Sequence, residues 1–181
     1  MRDSRTHYGL ISRCLHWLLL VLIVIQFTLV FIFTWFIPGQ PTVIMLHKSF
    51  GLLILLFGLI FIAWRLTQPK PSLKDYPTWQ RGLARLVHFV IYVAIIAQPV
   101  FGSLMVMSSG SSIPFFGLFS IPPFAALGRG AASVFGTLHA FTGWWIVLIA
   151  LGIHLAGSLY HHFVSKDDVL RRMWRGRPGG S

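Results

Sequence analysis

The sequence predicts an all-α fold, an integral membrane four-helix bundle with both termini cytoplasmic. Three observations carry that reading. Only 10% of the 181 residues are charged while 55% are hydrophobic, and a soluble domain carries about 25% charged residues. Four apolar runs are each long enough to cross a bilayer, which takes about 20 residues. Fifteen Lys and Arg flank those runs against four acids, Asp3, Asp75, Asp167 and Asp168, with no Glu. The net charge of +11 thus reflects missing acids, a membrane pattern rather than a nucleic-acid one. A cytosolic globule, a disordered chain and a nucleic-acid-binding domain are excluded. The single cysteine, Cys14, leaves no internal disulfide, no Cys-rich metal site and no C-x-x-C-H motif of covalently attached haem.

The spans run from about Cys14 to Phe36, Val43 to Leu66, Leu83 to Met107 and Ala132 to Phe163. Each reads as a helix, because an open strand would leave its backbone unsatisfied in lipid. The apolar core of the first exceeds the 7–15 residues of a signal peptide and no small-x-small site follows, so it reads as an anchor that stays. The whole chain, 1–181, reads as one transmembrane domain. Ile37-Pro38-Gly39-Gln40-Pro41-Thr42 is a tight turn, and Gln68-Pro69-Lys70-Pro71-Ser72 opens a polar basic connection. The stretch from Ser108 to Ser133 is long for a connection, and its four Phe predict that it packs onto the bundle mouth.

Orientation follows from Lys and Arg. Arg2, Arg5 and Arg13 precede or open the first span. Arg65, Lys70, Lys74, Arg81 and Arg85 lie about the second connection, and Lys166, Arg171, Arg172, Arg175 and Arg177 lie in the tail. These 13 of 15 share one side, predicted cytoplasmic, and only Lys48 and Arg129 fall on the other.

Eight histidines in such a chain are unusual, and ionisable residues inside a membrane default to a functional reading. By depth, the outer side holds His47 and His139 on different helices. The inner side holds His16 and His154 on different helices, with His88 as a competitor. His161 and His162 follow at the cytoplasmic interface, and His7 has no assigned role. Two cross-helix pairs, one per leaflet, suit two bis-histidine haems whose filled axial positions favour electron transfer over oxygen chemistry. Gly51 stands four residues after His47, Gly143 four after His139 and Gly157 three after His154. Positions i+3 and i+4 share the face of the His, so a Gly there removes a side chain that a porphyrin would meet. His88 has no such gap and is set apart from the ligands. Zinc needs about four close ligands, which two His per leaflet do not supply.

These residues resemble the prokaryotic cytochrome b-561 family of four-helix di-haem b proteins of the bacterial inner membrane. The marks are Arg13-Cys14-Leu15-His16-Trp17, His47-Lys48-Ser49-Phe50-Gly51, Gly152-Ile153-His154 and Tyr160-His161-His162-Phe163. Lys166-Asp167-Asp168-Val169-Leu170-Arg171-Arg172-Met173 is the most specific. The resemblance covers nearly the whole chain and implies two haem b groups, one on His16 and His154 and one on His47 and His139. In that family the two fourth-helix ligands stand about 14 residues apart, leaving them roughly 40° apart around the helix. Here His139 and His154 are 15 apart, roughly 60° to the other side. Either a single-residue π-bulge lies near Gly143-Trp144-Trp145, or the haems are rotated relative to each other. The 1.5 Å rise places the haems about 22 Å apart along the axis.

The resemblance implies a superoxide oxidase-like oxidoreductase, taking electrons from superoxide at the outer haem and passing them to ubiquinone near the inner one. An outer face with Lys48 and Arg129 and no acid would raise the local concentration of an anion. The alternative is a cytochrome b subunit of a dehydrogenase or hydrogenase, with a redox partner protein as donor. A haem-free transporter is a third class, but it lacks a broken midplane helix and any membrane-embedded acid. His161, seven residues after His154, returns to within about 20° of its face and is a candidate to hydrogen-bond and protonate a quinone. His162 turns toward headgroups or solvent. Arg13, three residues before His16, is a candidate partner for an inner-haem propionate or a border of the quinone site.

Overall fold

The computed structural model describes residues 2–4, 7–69, 76–124 and 126–174. Arg5, Lys70, Lys74, Arg175 and Arg177, five of the cations used to predict orientation, lie outside the described residues.

Four helices are long and apolar enough to cross a membrane, Leu10–Phe36, Pro41–Thr67, Thr78–Ser108 and Arg129–Phe163. The first is helix α1 (Leu10–Phe31), continued by a π-helical turn, Ile32–Phe36. Helix α2 (Pro41–Thr67) begins on a proline, whose missing N–H costs nothing in a first turn. The turn before it needs Gly39, whose φ is +74°. Helix α3 (Thr78–Ser108) holds Pro99, which removes the backbone donor due to the carbonyl of Ile95. The fourth span is α4 (Arg129–Phe141), a π-helical segment Thr142–Val147 and α5 (Leu148–Phe163). Of the two alternatives posed by the 15-residue spacing, the structure takes the bulge, over the residues named for it. A short helix, α6 (Val169–Trp174), follows.

The helices run past the predicted apolar limits, mainly at their polar ends: α1 starts at Leu10 and α3 at Thr78. Hydropathy marks where lipid lies, whereas a helix ends where its backbone hydrogen bonds do. The long connection also differs from a plain loop. It forms an antiparallel hairpin, β1 (Ile113–Phe115) with β2 (Phe119–Ile121), pairing Ile113 with Ile121. Ser49 of α2 pins it: the N–H of Phe116 donates to Ser49 Oγ at 2.8 Å, and the hydroxyl lies 2.8 Å from the Met45 carbonyl and 3.2 Å from that of Pro114. Ile113 is buried with Val106 and Met107, and Phe116 packs on Phe50 at 5.1 Å, so part of the loop does close onto the bundle. Phe119 and Phe124 stay exposed.

Leu19, Leu22, Ile54, Phe61 and Ile95 form a buried apolar layer among α1, α2 and α3. Gly58 lets α2 and α3 close there, since a Cβ on it would meet Ile95 Cγ2 at 2.2 Å. At the end carrying the termini, a polar knot ties the N-terminal segment down. Asp3 is 6% exposed. It accepts from Arg65 at 2.5 Å, from Ser12 Oγ at 2.9 Å and from the N–H of Gly9 at 2.7 Å. Trp64 Nε1 donates to the same Ser12 hydroxyl at 2.9 Å. The carboxylate thus serves the start of α1, whose own N-cap, Gly9, has no side chain to do so.

Candidate functional site

The bundle has two ends, a terminal side with the N-terminal segment and α6, and a hairpin side. Each holds two histidines from different spans. On the hairpin side, His47 of α2 and His139 of α4 face each other with ring centroids 6.0 Å apart and planes at 81°. On the terminal side, His16 of α1 and His154 of α5 have centroids 6.2 Å apart at 54°. An imidazole-to-metal bond is about 2 Å. With the ring radius added on both sides, two imidazoles sharing one metal have centroids about 6 Å apart. Both pairs stand close to that separation, which also lies within the 4.5–7 Å of ordinary ring–ring contact.

The hairpin-side pair borders a cavity of about 420 Å³, within the roughly 300–1,000 Å³ of sites that enclose a cofactor. Lys48, Gly51 and Gly143 also line it. Gln26 Nε2 lies 3.4 Å from His47 Nε2, a donor against the lone pair of the ring, and His47 Nδ1 is buried without a hydrogen-bond partner. His139 is set differently: its Nδ1 donates to the Gln98 carbonyl at 3.0 Å, which leaves Nε2 unprotonated for a metal. Gly102 gives this ring its room, since a Cβ there would meet His139 Cε1 at 3.0 Å. Gly143 also admits a glutamine, since a Cβ there would meet Gln98 Nε2 at 2.5 Å, whereas one at Gly51 would stand in ordinary contact with Gln26 Nε2 at 3.5 Å. Gln26, Gln98 and Gly102 were missed from the sequence, although the rule applied to the histidines, that polar residues inside a span need a reason, also reaches both glutamines.

On the terminal side His16 Nδ1 is buried without a partner. The structure brings His88, set apart by its lack of a following glycine, against His154 with centroids 5.0 Å apart. His88 Nδ1 donates to the Ala84 carbonyl at 2.6 Å. Around Gly157, a Cβ would meet nothing within 4 Å.

Nearer the terminal face, His161 donates from Nδ1 to Asp167 Oδ2 at 2.5 Å, with the Tyr76 ring 5.2 Å away. The other Asp167 oxygen accepts from the N–H of Val169 at 3.0 Å. His162 is half-buried and lines an open cleft of about 590 Å³ with Trp17, Leu170, Arg171 and Trp174. Arg13 donates from Nη1 to the Trp174 carbonyl at 2.9 Å, and its Nε is buried with no partner. Trp17 Nε1 donates to the Met173 carbonyl at 3.2 Å. Arg13 and Trp17 thereby hold α6 beside α1.

Among the described residues no three of His, Cys, Asp and Glu converge to hold a metal ion. Each pair offers two imidazoles, which suits an iron whose other four ligands come from a macrocycle. The centroid separations of both pairs, and at the hairpin side the cavity and the His139 ring held by Nδ1, fit haem. An apolar four-helix bundle with such pairs has the architecture of a membrane cytochrome b. The comparisons agree. Residues 7–176 match the family described as prokaryotic cytochrome b561. "Cytochrome b561 homolog 2" of Escherichia coli (strain K12) is 32% identical over 94% of this chain and 93% of its own length. "Probable superoxide oxidase CybB" of Yersinia pestis is 33% identical over 92% of this chain and 94% of its own. "Cytochrome b561 homolog 1" of Escherichia coli (strain K12) is 28% identical over 88% and 92%. The chain belongs to the prokaryotic cytochrome b561 family, multi-pass membrane electron-transfer proteins of bacteria.

Proposed function

We propose that this chain is a di-haem b protein of the bacterial inner membrane that passes electrons from superoxide at the periplasmic side to ubiquinone at the cytoplasmic side. The observation that carries it is the pair of histidine sites at opposite ends of the bundle, His47 with His139 and His16 with His154, each with centroids about 6 Å apart. The Lys and Arg excess at the terminal side supports placing that side in the cytoplasm. His47 with His139 and His16 with His154 would each hold a haem b, which would supply a one-electron relay. Two superoxide anions are oxidised to dioxygen for each ubiquinone reduced to ubiquinol, and the two protons come from the cytoplasm. Lys48, on the wall of the hairpin-side cavity, and Arg129 draw the anion in. The name of the Yersinia pestis relative supports this donor.

His161 and Asp167 form the candidate proton-delivering group for the quinone. With Nδ1–H held by the carboxylate, Nε2 is the position from which the protonated ring would pass a proton to a quinone carbonyl, and the neighbouring His162 cleft gives a headgroup room. Arg13, with its unpartnered Nε, is the candidate to meet a haem propionate on this side.

Stopped-flow mixing of the purified protein with superoxide, with and without ubiquinone, tests the reading. Haem reduction by superoxide and reoxidation by ubiquinone are expected. No reduction by superoxide without a partner protein would replace it with the docked-subunit reading. His47→Ala and His139→Ala are expected to lose the same single haem, and two haems retained in either would break that pairing. His161→Ala is expected to keep both haems and slow reoxidation; a wild-type rate would remove His161 from the site.

A further inference from the structure

Gln98 makes three bonds to the helix that carries His139. Its Nε2 donates to the His139 carbonyl at 3.1 Å, and its Oε1 accepts from Thr142 Oγ1 at 2.9 Å. Its own carbonyl accepts from His139 Nδ1 at 3.0 Å. The ring, the main chain and the next turn of one histidine are therefore fixed by one residue of α3. These bonds meet the fourth span where it widens, since Thr142 opens the π-helical segment. A π-helical segment shifts each carbonyl to a donor one residue further on. The Gln98 amide enters beside Gly143, 2.5 Å from where a Cβ would stand. The extra residue between His139 and His154 thus comes with a side chain from another helix that occupies the opening.

We infer that Gln98 is the positioning residue of the hairpin-side haem site: its main-chain carbonyl sets the tautomer of His139, while its side chain sets the angle of the ring and stabilises the π-helical segment that accompanies the 15-residue spacing. This rests on the bis-histidine reading proposed above. Helix–helix hydrogen bonds in membranes also act as plain glue. Plain glue would alter stability and leave the electronic state of one haem untouched. A positioning role makes a site-specific change: without the Gln98 side chain the turn carrying His139 shifts, and with it the length and angle of the bond from Nδ1–H to the main-chain carbonyl of residue 98 that tunes the basicity of the ligand.

The test uses the purified haem-loaded protein with Gln98→Leu, Gln98→Glu and Gly143→Ala. The Glu variant keeps the acceptor for Thr142 and removes the donor to the His139 carbonyl. The Ala variant pushes the amide away without altering Gln98. The readouts are the low-spin ferric resonance of each site and the rate of haem loss to apomyoglobin, with His139→Ala used to assign the hairpin-side signal. In Gln98→Leu and Gly143→Ala the hairpin-side resonance is expected to move and its haem to leave about ten-fold faster, with the other site unchanged and Gln98→Glu intermediate. A wild-type resonance and loss rate in Gln98→Leu, or in Gly143→Ala if the Leu variant does not accumulate, overturns the inference and leaves the bis-histidine site standing. Two haems retained in His139→Ala would instead overturn the bis-histidine reading and the inference with it.

Discussion

Gly102→Ala puts the packing of the hairpin-side site to a direct test. The added Cβ would stand 3.0 Å from His139 Cε1 and 3.1 Å from Nδ1. Comfortable contact between such atoms is about 3.5–4.0 Å, so the ring must retreat by roughly 0.5 Å or more. That is the margin within which a functional site has to be held, about 0.5 Å. Disturbing the support of a ligating His costs about 10–100-fold in affinity. Helix propensity acts the other way: Ala in place of Gly favours an α-helix by about 1 kcal/mol. Folding should therefore be unharmed while one haem is held less tightly. Gly82→Ala is the matched control, in the same helix with nothing within 4 Å of its Cβ position. Haem per chain, haem-loss rate and thermal unfolding would be measured for both. Site-specific loss from Gly102→Ala, with unfolding at or above the wild-type temperature, is expected. Equal haem retention in the two variants would refute the placement of His139 against Gly102.

Asp3→Ala strands Arg65 in a buried setting, and removing one member of a buried ion pair costs about 3–5 kcal/mol; a clear fall in the unfolding temperature in detergent is expected, and no change would mean that the knot contributes nothing. Lys48→Glu should slow reduction by superoxide more at low salt than at physiological salt, where fields are screened over about 8 Å, provided that haem content is intact; a rate insensitive to ionic strength would exclude steering. Ser49→Ala leaves the Phe116 N–H without its acceptor, a loss of about 1–3 kcal/mol, and is expected to raise hydrogen exchange across residues 113–121; unchanged exchange would show that apolar packing alone holds the hairpin.

The spans were legible because twenty apolar residues in a row have one structural solution in lipid. The two histidine pairs were legible because depth in a bilayer is a one-dimensional coordinate that a sequence carries directly. The bulge in the fourth span was one of two alternatives read from spacing: His139 and His154 stand fifteen residues apart where the resembled family has about fourteen. What depended on contacts between helices was not. Gln98 and Gly102 act on His139 from α3, and nothing in the local pattern of α3 names their partner. His88 shows the limit of a neighbour rule, since a glycine gap on its own helix says nothing of the ring it meets on α5. The hairpin escaped because strands of three residues holding Pro114 leave too little periodicity to read.

The buried layer of Leu19, Leu22, Ile54, Phe61 and Ile95 has an electrical consequence. It is a slab of low dielectric between the two histidine sites, so the membrane voltage falls across it. A full crossing is worth about 2.3 kcal/mol per elementary charge for each 100 mV. A separation of about 22 Å in a hydrocarbon core of about 30 Å makes the share between the sites roughly 1.7 kcal/mol for each 100 mV. In the proposed direction the electron moves toward the negative side, so an energised cell opposes the transfer and a depolarised one releases it. Under the proposed function, the layer would make the throughput of the bundle respond to membrane voltage.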